Sequence, residues 1–145
     1  MEELIFALKV ALADSYAFSL KAQNYHWNVT GISFSEHHEF FGELYSEVQG
    51  GIDGIAENIR TINAYAPASF SRFQELTNIE DETTIPDVSK MFLNLKDDNY
   101  TVLSSLNKAY ELAESAKKYG ISNYIQDRIT AHEKHGWMIR SFIKE

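Results

Sequence analysis

The stretch that decides the fold is FSEHHEFFGELYSEVQGGIDGIAENIRTI, which runs from residue 34 to residue 62. Apolar residues and one histidine recur along it in alternating steps of four and three, the spacing of one face of an α-helix; they are Phe34, His38, Phe41, Tyr45, Val48, Ile52, Ile55, Ile59 and Ile62. The pattern predicts one long amphipathic helix that begins near Ser33 or Ser35. It ends before Pro67, because proline disfavours helical geometry in the preceding residue. A stripe of this length requires partner helices to cover it.

A second stripe of the same spacing lies before this helix and predicts another helix from Glu2 to about Asn28. Gly31 marks its end, because glycine readily takes the left-handed conformation that terminates helices. The connection that follows Pro67 is too long for a structureless loop in a compact domain. We therefore expect a short helix around Ser69–Leu76.

The C-terminal half predicts two more long helices. One starts near Pro86-Asp87 and is closed by Gly120, and the other runs from about Ser122 to Phe142. Short links make helices one and two, and helices three and four, antiparallel neighbours, whereas the long link can run the length of the bundle. The expected fold is all-α: a ferritin-like four-helix bundle with a short extra helix between helices two and three. It forms a single domain over residues 1–145.

Composition narrows the classes of function. The chain has no cysteine, which excludes thiolate metal sites and fits a reducing compartment, so we expect a cytoplasmic protein. Lys9 and Asp14 break the apolar run at the start, and no apolar stretch approaches the ~20 residues that span a bilayer, so neither a signal peptide nor a membrane span is expected. The 13 basic and 21 acidic residues leave a net charge of −8, which attracts cations and repels phosphate backbones.

Four side chains of metal-ligand type sit at helical spacing on the first two helices: His26, His38, Asp53 and Glu57. Imidazole nitrogen together with carboxylate oxygen suits iron, manganese or zinc more than calcium. Asp53 and Glu57 share one face of the second helix. The step from His38 to Asp53, however, corresponds to about 22 Å along a helix axis, so one subunit cannot bring these two residues to one metal.

A two-fold axis would solve this problem. Two copies of the second helix packed antiparallel would bring His38 of one copy to Asp53 and Glu57 of the other, and symmetry would create a second such site. Close packing would be permitted by the glycines of this helix, which are Gly42, Gly50, Gly51 and Gly54. Spacing alone leaves the alternative open, since a histidine on an apolar face is more often a core residue and an acid pair is usually solvated.

Other candidate sites are weaker. Trp27, beside His26, is interpreted as a packing residue, and His37 is expected to face solvent. The run His132-Glu133-Lys134-His135 lacks the four-residue histidine spacing of a metalloprotease motif and is interpreted as structural. The sequence has no Glu-x-x-His pair of the kind that builds di-iron sites within one bundle, no Gly-rich phosphate loop and no nucleophile elbow.

These motifs resemble those of a known family, the Dps mini-ferritins, whose name stands for DNA-binding protein from starved cells. The segment His26–His38, which contains Trp27, is similar to the family's signature around its first two histidines. The motif Asp53-x-x-Ala56-Glu57 is similar to the acidic half of the family's site, and the segment Arg128–Phe142 is similar to the last helix. The resemblance covers most of the chain.

The resemblance implies a homo-oligomeric shell of twelve subunits with ferroxidase centres at its two-fold interfaces. Iron is the implied metal, with zinc or manganese as possible substitutes. Hydrogen peroxide, or dioxygen, would oxidise Fe(II), and the ferric product would be stored inside as mineral, which protects against oxidative damage. His26 and His38 would come from one subunit, and Asp53 and Glu57 from its two-fold mate. Glu57 would bridge the iron positions, and Trp27 would absorb oxidising equivalents.

The sequence departs from the family pattern at three places. Most members have a carboxylate where this chain has Gly42, so the second iron position would lose a ligand unless Glu39 or Glu43 reaches it. Acids that often line an iron pore are matched by Asn123, with Asp127 as a substitute. DNA-binding members commonly use a lysine-rich tail, which is not expected here, so direct DNA binding is not expected either. A metal-binding or structural shell with an impaired centre is the alternative to a ferroxidase, and DNA protection is a third.

Overall fold

The computed structural model of the protein describes residues 1–143, and this part of the chain folds into helices without any strand. The elements in chain order are α1 (Glu2–Asn28), α2 (Phe34–Thr61), α3 (Phe70–Leu76), α4 (Val88–Ser115) and α5 (Tyr119–Phe142). The predicted all-α fold is therefore confirmed, with four long helices and one short helix in the long connection. Over residues 1–143, no helix combines the length and the apolar character that crossing a membrane requires.

The four long helices pack in a closed ring around one core. α1 contacts both α2 and α4, α4 contacts α5, and α5 returns to α2, while α3 lies against α1 alone. The apolar stripes predicted from the sequence supply the core, since α1 buries every residue of its stripe and α2 buries Phe41, Val48, Ile52, Ile55 and Ile59. Each large apolar side chain buried in this way contributes roughly 1.5–3 kcal/mol relative to exposure. The ring holds α2 between α1 and α5.

Two helix boundaries illustrate how the turns form. Gly31 has a φ of 106°, so the predicted left-handed turn after α1 is confirmed. The prediction that Gly120 closes α4 is wrong: Lys117, with a φ of 58°, takes the left-handed position, and α5 already begins at Tyr119. The amide of Lys118 donates to the carbonyl of Ala113, and this bond satisfies the end of α4 without a glycine.

The long connection between α2 and α4 is tied to α1 by buried polar groups. Asp14 accepts hydrogen bonds from the Thr77 hydroxyl at 2.7 Å and from the Asn78 amide at 2.8 Å. Burial raises the pKa of Asp14, although these hydrogen bonds oppose the effect. Further along, the Tyr25 hydroxyl donates to Glu82 at 2.7 Å. The connection is therefore anchored at two heights along α1.

Candidate metal centre

His26 and His38 face each other across the short turn that joins α1 to α2. His26 lies in the last turn of α1 and His38 in the second turn of α2. Their rings stack, with centroids 3.9 Å apart and planes inclined by 13°. Nδ1 of each ring lies 2.6 Å from the main-chain oxygen of the other histidine. The helix hairpin thus assembles the two predicted histidines into a reciprocal pair.

The reciprocal hydrogen bonds decide which nitrogen of each ring carries a proton. A carbonyl oxygen can only accept, so Nδ1 of both His26 and His38 must donate. Nε2 of each neutral ring then keeps the lone pair with which imidazole binds a metal. Metal-binding histidines usually donate their other N–H to a carbonyl or carboxylate, which fixes the ring orientation. The pair is therefore pre-organised to present two metal-binding nitrogens.

The stacking of the rings bears on how many ions the pair can hold. A metal bound to Nε2 lies close to the plane of its imidazole, at roughly 2.0–2.1 Å for zinc. Because the ring planes of His26 and His38 are inclined by only 13°, the rings as they stand cannot ligate one ion together. Phe34 stacks on the far side of His38, with centroids 5.2 Å apart, and supports this orientation. The geometry suits two neighbouring ions, one for each ring.

Gly42 explains how His26 reaches this position. A Cβ atom at residue 42 would lie 2.7 Å from Cε1 and 2.8 Å from Nδ1 of His26, too close for any real side chain. The imidazole of His26 therefore occupies the space that a side chain at residue 42 would need. The absence of a carboxylate at residue 42 is therefore linked to the position of His26, because the imidazole fills the space beside the glycine.

Asp53 and Glu57 lie on the exposed surface of α2, outside its buried stripe, as the sequence predicted. Within residues 1–143, no group of three or more histidine or acidic side chains is arranged to hold a metal ion. The histidine pair and the carboxylate pair are thus separate in one subunit. Their union across a two-fold axis stays a prediction.

Trp27, interpreted from the sequence as a packing residue, is largely exposed in the subunit. Its side chain is 65% exposed, because it lies on the face of α1 opposite the core stripe. Together with Leu20, Phe70 and Phe73 it lines a surface cavity of about 540 Å³ between α1, α3 and the connection after α3. The tryptophan beside His26 is therefore available to whatever contacts this surface.

Like Gly42, two further glycines on α2 face side chains of their own chain, and the prediction that the glycines serve packing between subunits is wrong for these three. A Cβ atom at Gly51 would overlap the guanidinium of Arg128, and one at Gly54 would overlap the ring of Tyr124. The Tyr124 hydroxyl donates to the main-chain oxygen of Gly51 at 2.7 Å. Only Gly50 faces open space in the subunit.

Glu47 is an exposed residue of α2, bound to two side chains of α5, that the sequence did not single out. Arg128 donates to both of its carboxylate oxygens, at 2.7 and 3.0 Å, and His135 Nε2 lies 2.6 Å from one of them. The hydrogen bond with His135, helped by Arg128, holds the pKa of Glu47 well below its usual value. The helical spacing of Arg128, His132 and His135 on α5 was the signal that could have revealed this polar stripe.

The other histidines have partners in their own chain. His132 is fully buried and hydrogen-bonds through Nδ1 to Asn99 at 2.8 Å, and burial lowers its pKa to about 3. This agrees with the structural interpretation of its motif. The expectation that His37 faces solvent is wrong, because its ring packs edge-on against Phe92 and Phe142 at 5.2 and 5.7 Å.

Comparison with known proteins agrees with this architecture. The sequence profile of the ferritin-like domain family matches residues 5–145. DNA protection during starvation protein 2 of Bacillus anthracis is 31% identical over 99% of both chains. The crystal structure of a Dps protein from Vibrio cholerae, described as a member of the ferritin-like diiron-carboxylate superfamily, is 32% identical with a TM-score of 0.93, covering 99% of this chain and 90% of that one. A Dps protein from Bacillus brevis is 28% identical with a TM-score of 0.92, covering 97% and 95%.

The four-helix ring and the profile match define the class: the protein is ferritin-like. Within that class, proteins named for DNA protection during starvation, or as Dps, match the chain along nearly its whole length. The chain belongs to the Dps family of mini-ferritins.

Proposed function

We propose that the protein oxidises Fe(II) at centres formed between subunits and stores the ferric product in an oligomeric shell. The observation that supports this best is the histidine pair. Both Nδ1 atoms are committed to carbonyls, and neither Nε2 has a hydrogen-bond partner among the described residues. A purely structural pair would be expected to use both nitrogens of each ring. Two free nitrogens beside a subunit surface are instead what a shared metal centre requires.

Each centre would take two Fe(II) ions as substrate, one at His26 and one at His38. Asp53 and Glu57 of the two-fold mate would complete the ligand set, with Glu57 between the two ions. Two-metal sites in proteins hold their ions roughly 3.5–4 Å apart, a separation that one carboxylate can bridge. The α2 helix thus carries two half-sites: the histidine half-site, at His38, would belong to one centre, and the carboxylate half-site, at Asp53 and Glu57, to the other.

The oxidation balances with hydrogen peroxide as the oxidant. Each of the two Fe(II) ions gives up one electron, the O–O bond breaks, and two protons taken up from the solution complete two water molecules. Two adjacent ions deliver both electrons at one place, which limits the release of hydroxyl radical. Hydrolysis of the resulting Fe(III) to oxyhydroxide releases protons as the mineral grows. Dioxygen is the second candidate oxidant, and zinc or manganese would compete for the same ligands.

The proposed shell contains twelve subunits and resides in the cytoplasm. Twelve chains at −8 each give a formal charge of −96. Such a shell concentrates cations at its surface and repels nucleic acid at physiological salt. The Bacillus anthracis relative is named for DNA protection, and direct DNA binding by this chain would show as salt-sensitive gel retardation, which we expect to be absent.

Gly42 supports one alternative function. Without a carboxylate at this position the centre would have fewer oxygen ligands, and the nearest acids on α2, Glu39 and Glu43, are both exposed. A shell that binds one ion tightly at each site without oxidising it would follow. Measured iron stoichiometry and turnover separate this alternative from a ferroxidase.

The decisive experiment uses complementation between subunits. His38→Ala and Glu57→Ala proteins are prepared separately and as mixed shells co-expressed at equal amounts, and peroxide-driven Fe(II) oxidation is measured. Each single variant should lose activity. In mixed shells each centre draws its histidines and its carboxylates from different chains, so about one quarter of the centres recover a complete ligand set. Glu111→Ala, an exposed acid on α4, is the control and should behave as wild type.

Two results would refute the proposal. Single variants that oxidise iron as fast as wild type would exclude these residues from the reaction. Inactive single variants whose mixed shells recover nothing would exclude a centre shared between subunits. Shell assembly is checked by mass, since twelve chains of 16.6 kDa sum to about 199 kDa.

A further inference from the structure

The middle of α2 is the weakest part of the helix that carries both halves of the proposed centre. Gly50 and Gly51 are adjacent, Gly54 follows within one turn, and each glycine lowers helix stability by about 1 kcal/mol relative to alanine. Sharp bends in helices often occur at glycine. Gly50 and Gly51 lie between the histidine half-site, at His38, and the carboxylate half-site, at Asp53.

A bend in this segment would damage two centres at once. A bend of about 5° at Gly51 would move His38, about 20 Å away along the axis, by about 2 Å relative to Asp53. Misplacement of a reacting group by about 1 Å can lower a rate by roughly 100-fold. Because one α2 helix contributes to two centres in the proposed dimer, its straightness decides whether both can form.

Side chains of α5 contact α2 on both sides of the glycine pair. Before it, Arg128 forms a two-pronged ion pair with Glu47, at 2.7 and 3.0 Å. Its guanidinium also lies against the backbone at Gly51. After it, the ring of Tyr124 lies against Gly54, and its hydroxyl donates to the oxygen of Gly51 at 2.7 Å. Such close approach is possible only because these positions lack a Cβ atom.

We propose that Tyr124 and Arg128 are positioning residues of the iron centre: they hold the glycine-rich middle of α2 in one conformation and so fix the distance between its two half-sites. The inference rests on the proposed ferroxidase function. Neither residue belongs to the proposed ligand set. Their effect passes through the backbone of α2, and Glu47 is the anchor by which Arg128 acts.

The test uses Co(II) as the probe, because its visible spectrum reports the ligand geometry and it needs no oxidant. Tyr124→Phe keeps the ring over Gly54 and removes only the hydrogen bond to Gly51. In assembled shells, this variant should bind Co(II) at least tenfold more weakly, with an altered visible spectrum and a raised KM for Fe(II). The matched control is Tyr110→Phe, which removes a hydrogen bond to Glu114 inside α4 and should leave Co(II) binding unchanged.

Arg128→Lys is the second variant. Lysine keeps the positive charge but lacks the guanidinium group that donates to both oxygens of Glu47. Co(II) affinity should therefore fall in this variant, as in Tyr124→Phe. It also carries the test if Tyr124→Phe fails to assemble.

The outcomes separate this inference from the proposed function. Wild-type shells that bind no Co(II) at the His38 and Glu57 sites would overturn the proposed function, and the inference with it. Wild-type binding that is unchanged in affinity and spectrum in Tyr124→Phe and Arg128→Lys would overturn the inference alone. A lower melting temperature with an unchanged Co(II) Kd would also overturn it, because that result describes a purely structural role.

Discussion

Substitution of Gly42 tests whether the histidine pair or the missing carboxylate governs the centre. In Gly42→Ala the new Cβ would lie 2.7 Å from Cε1 of His26, so the imidazole must move. Movement breaks the 2.6 Å hydrogen bond from His26 Nδ1 to the oxygen of His38 and separates the stacked rings. Gly42→Asp introduces the same clash, although it restores the carboxylate typical of the family.

The magnitudes favour a large effect on metal binding and a small one on folding. Alanine in place of glycine stabilises a helix interior by about 1 kcal/mol, and loss of one hydrogen bond costs about 1 kcal/mol. The free energy of unfolding should therefore change by less than about 1 kcal/mol. Loss of the group that orients a metal-binding histidine typically lowers metal affinity by about 10–100-fold. We expect this loss for both Gly42→Ala and Gly42→Asp.

The assay is a Co(II) titration of assembled shells, followed by peroxide-driven Fe(II) oxidation. Gly120→Ala is the control, because a Cβ there meets nothing within 4 Å in the subunit and residue 120 lies on α5, outside the helix that carries the centre; it should leave both Co(II) affinity and the oxidation rate unchanged. If Gly42→Asp binds Co(II) more tightly than wild type or oxidises iron faster, the reasoning fails, because His26 would then not need the space above Gly42.

Two further predictions concern stability. Because burial lowers the pKa of His132 to about 3, the unfolded chain binds a proton below pH 6.5 that the folded chain does not. The free energy of unfolding should therefore fall by up to about 1.4 kcal/mol per pH unit below pH 6.5. When urea unfolding is measured at pH 7 and at pH 5, this free energy should fall less in His132→Gln than in the wild-type protein. Asp14→Ala leaves the Thr77 hydroxyl and the Asn78 amide without their acceptor and should cost about 2–3 kcal/mol, whereas Asp14→Asn keeps an acceptor and should cost less; equal losses in chemical denaturation would contradict this.

The fold was predictable because its signals are local. Alternating apolar steps of three and four need only helical geometry to define a buried face, and this is why both bounds of α1 and the start of α2 agree with the sequence to within a residue or two. The end of α2, at Thr61, comes several residues before the stop that Pro67 indicated. The turn after α4 was not predictable on the same basis. The sequence indicated Gly120 as the residue that ends α4. Lys117 takes the left-handed conformation instead, and backbone hydrogen bonds satisfy the carbonyl groups at the helix end.

The candidate residues could be identified from the sequence. The axial distance from His38 to Asp53, which follows from helical rise alone, leads to the prediction that the site is divided between subunits, and this division stays a prediction. The internal geometry of the site was not predictable. That His26 and His38 cap each other's carbonyls depends on how α1 and α2 meet after Gly31. Spacing along one helix carries no information about an atom on the next helix.

The glycines of α2 show how these levels connect. Three of them face a large side chain of the same subunit: Gly42 faces His26, Gly51 faces Arg128 and Gly54 faces Tyr124. At each pair a side-chain contact occupies the place of the glycine's missing Cβ, so a larger residue in place of the glycine requires its partner to move. For Gly42 this has a chemical consequence: any side chain at residue 42 requires the imidazole of His26 to move from the position that it holds here. In the proposed centre, the two histidines are therefore held in place within one subunit, and the oxygen ligands would come chiefly from Asp53 and Glu57 of the neighbouring subunit.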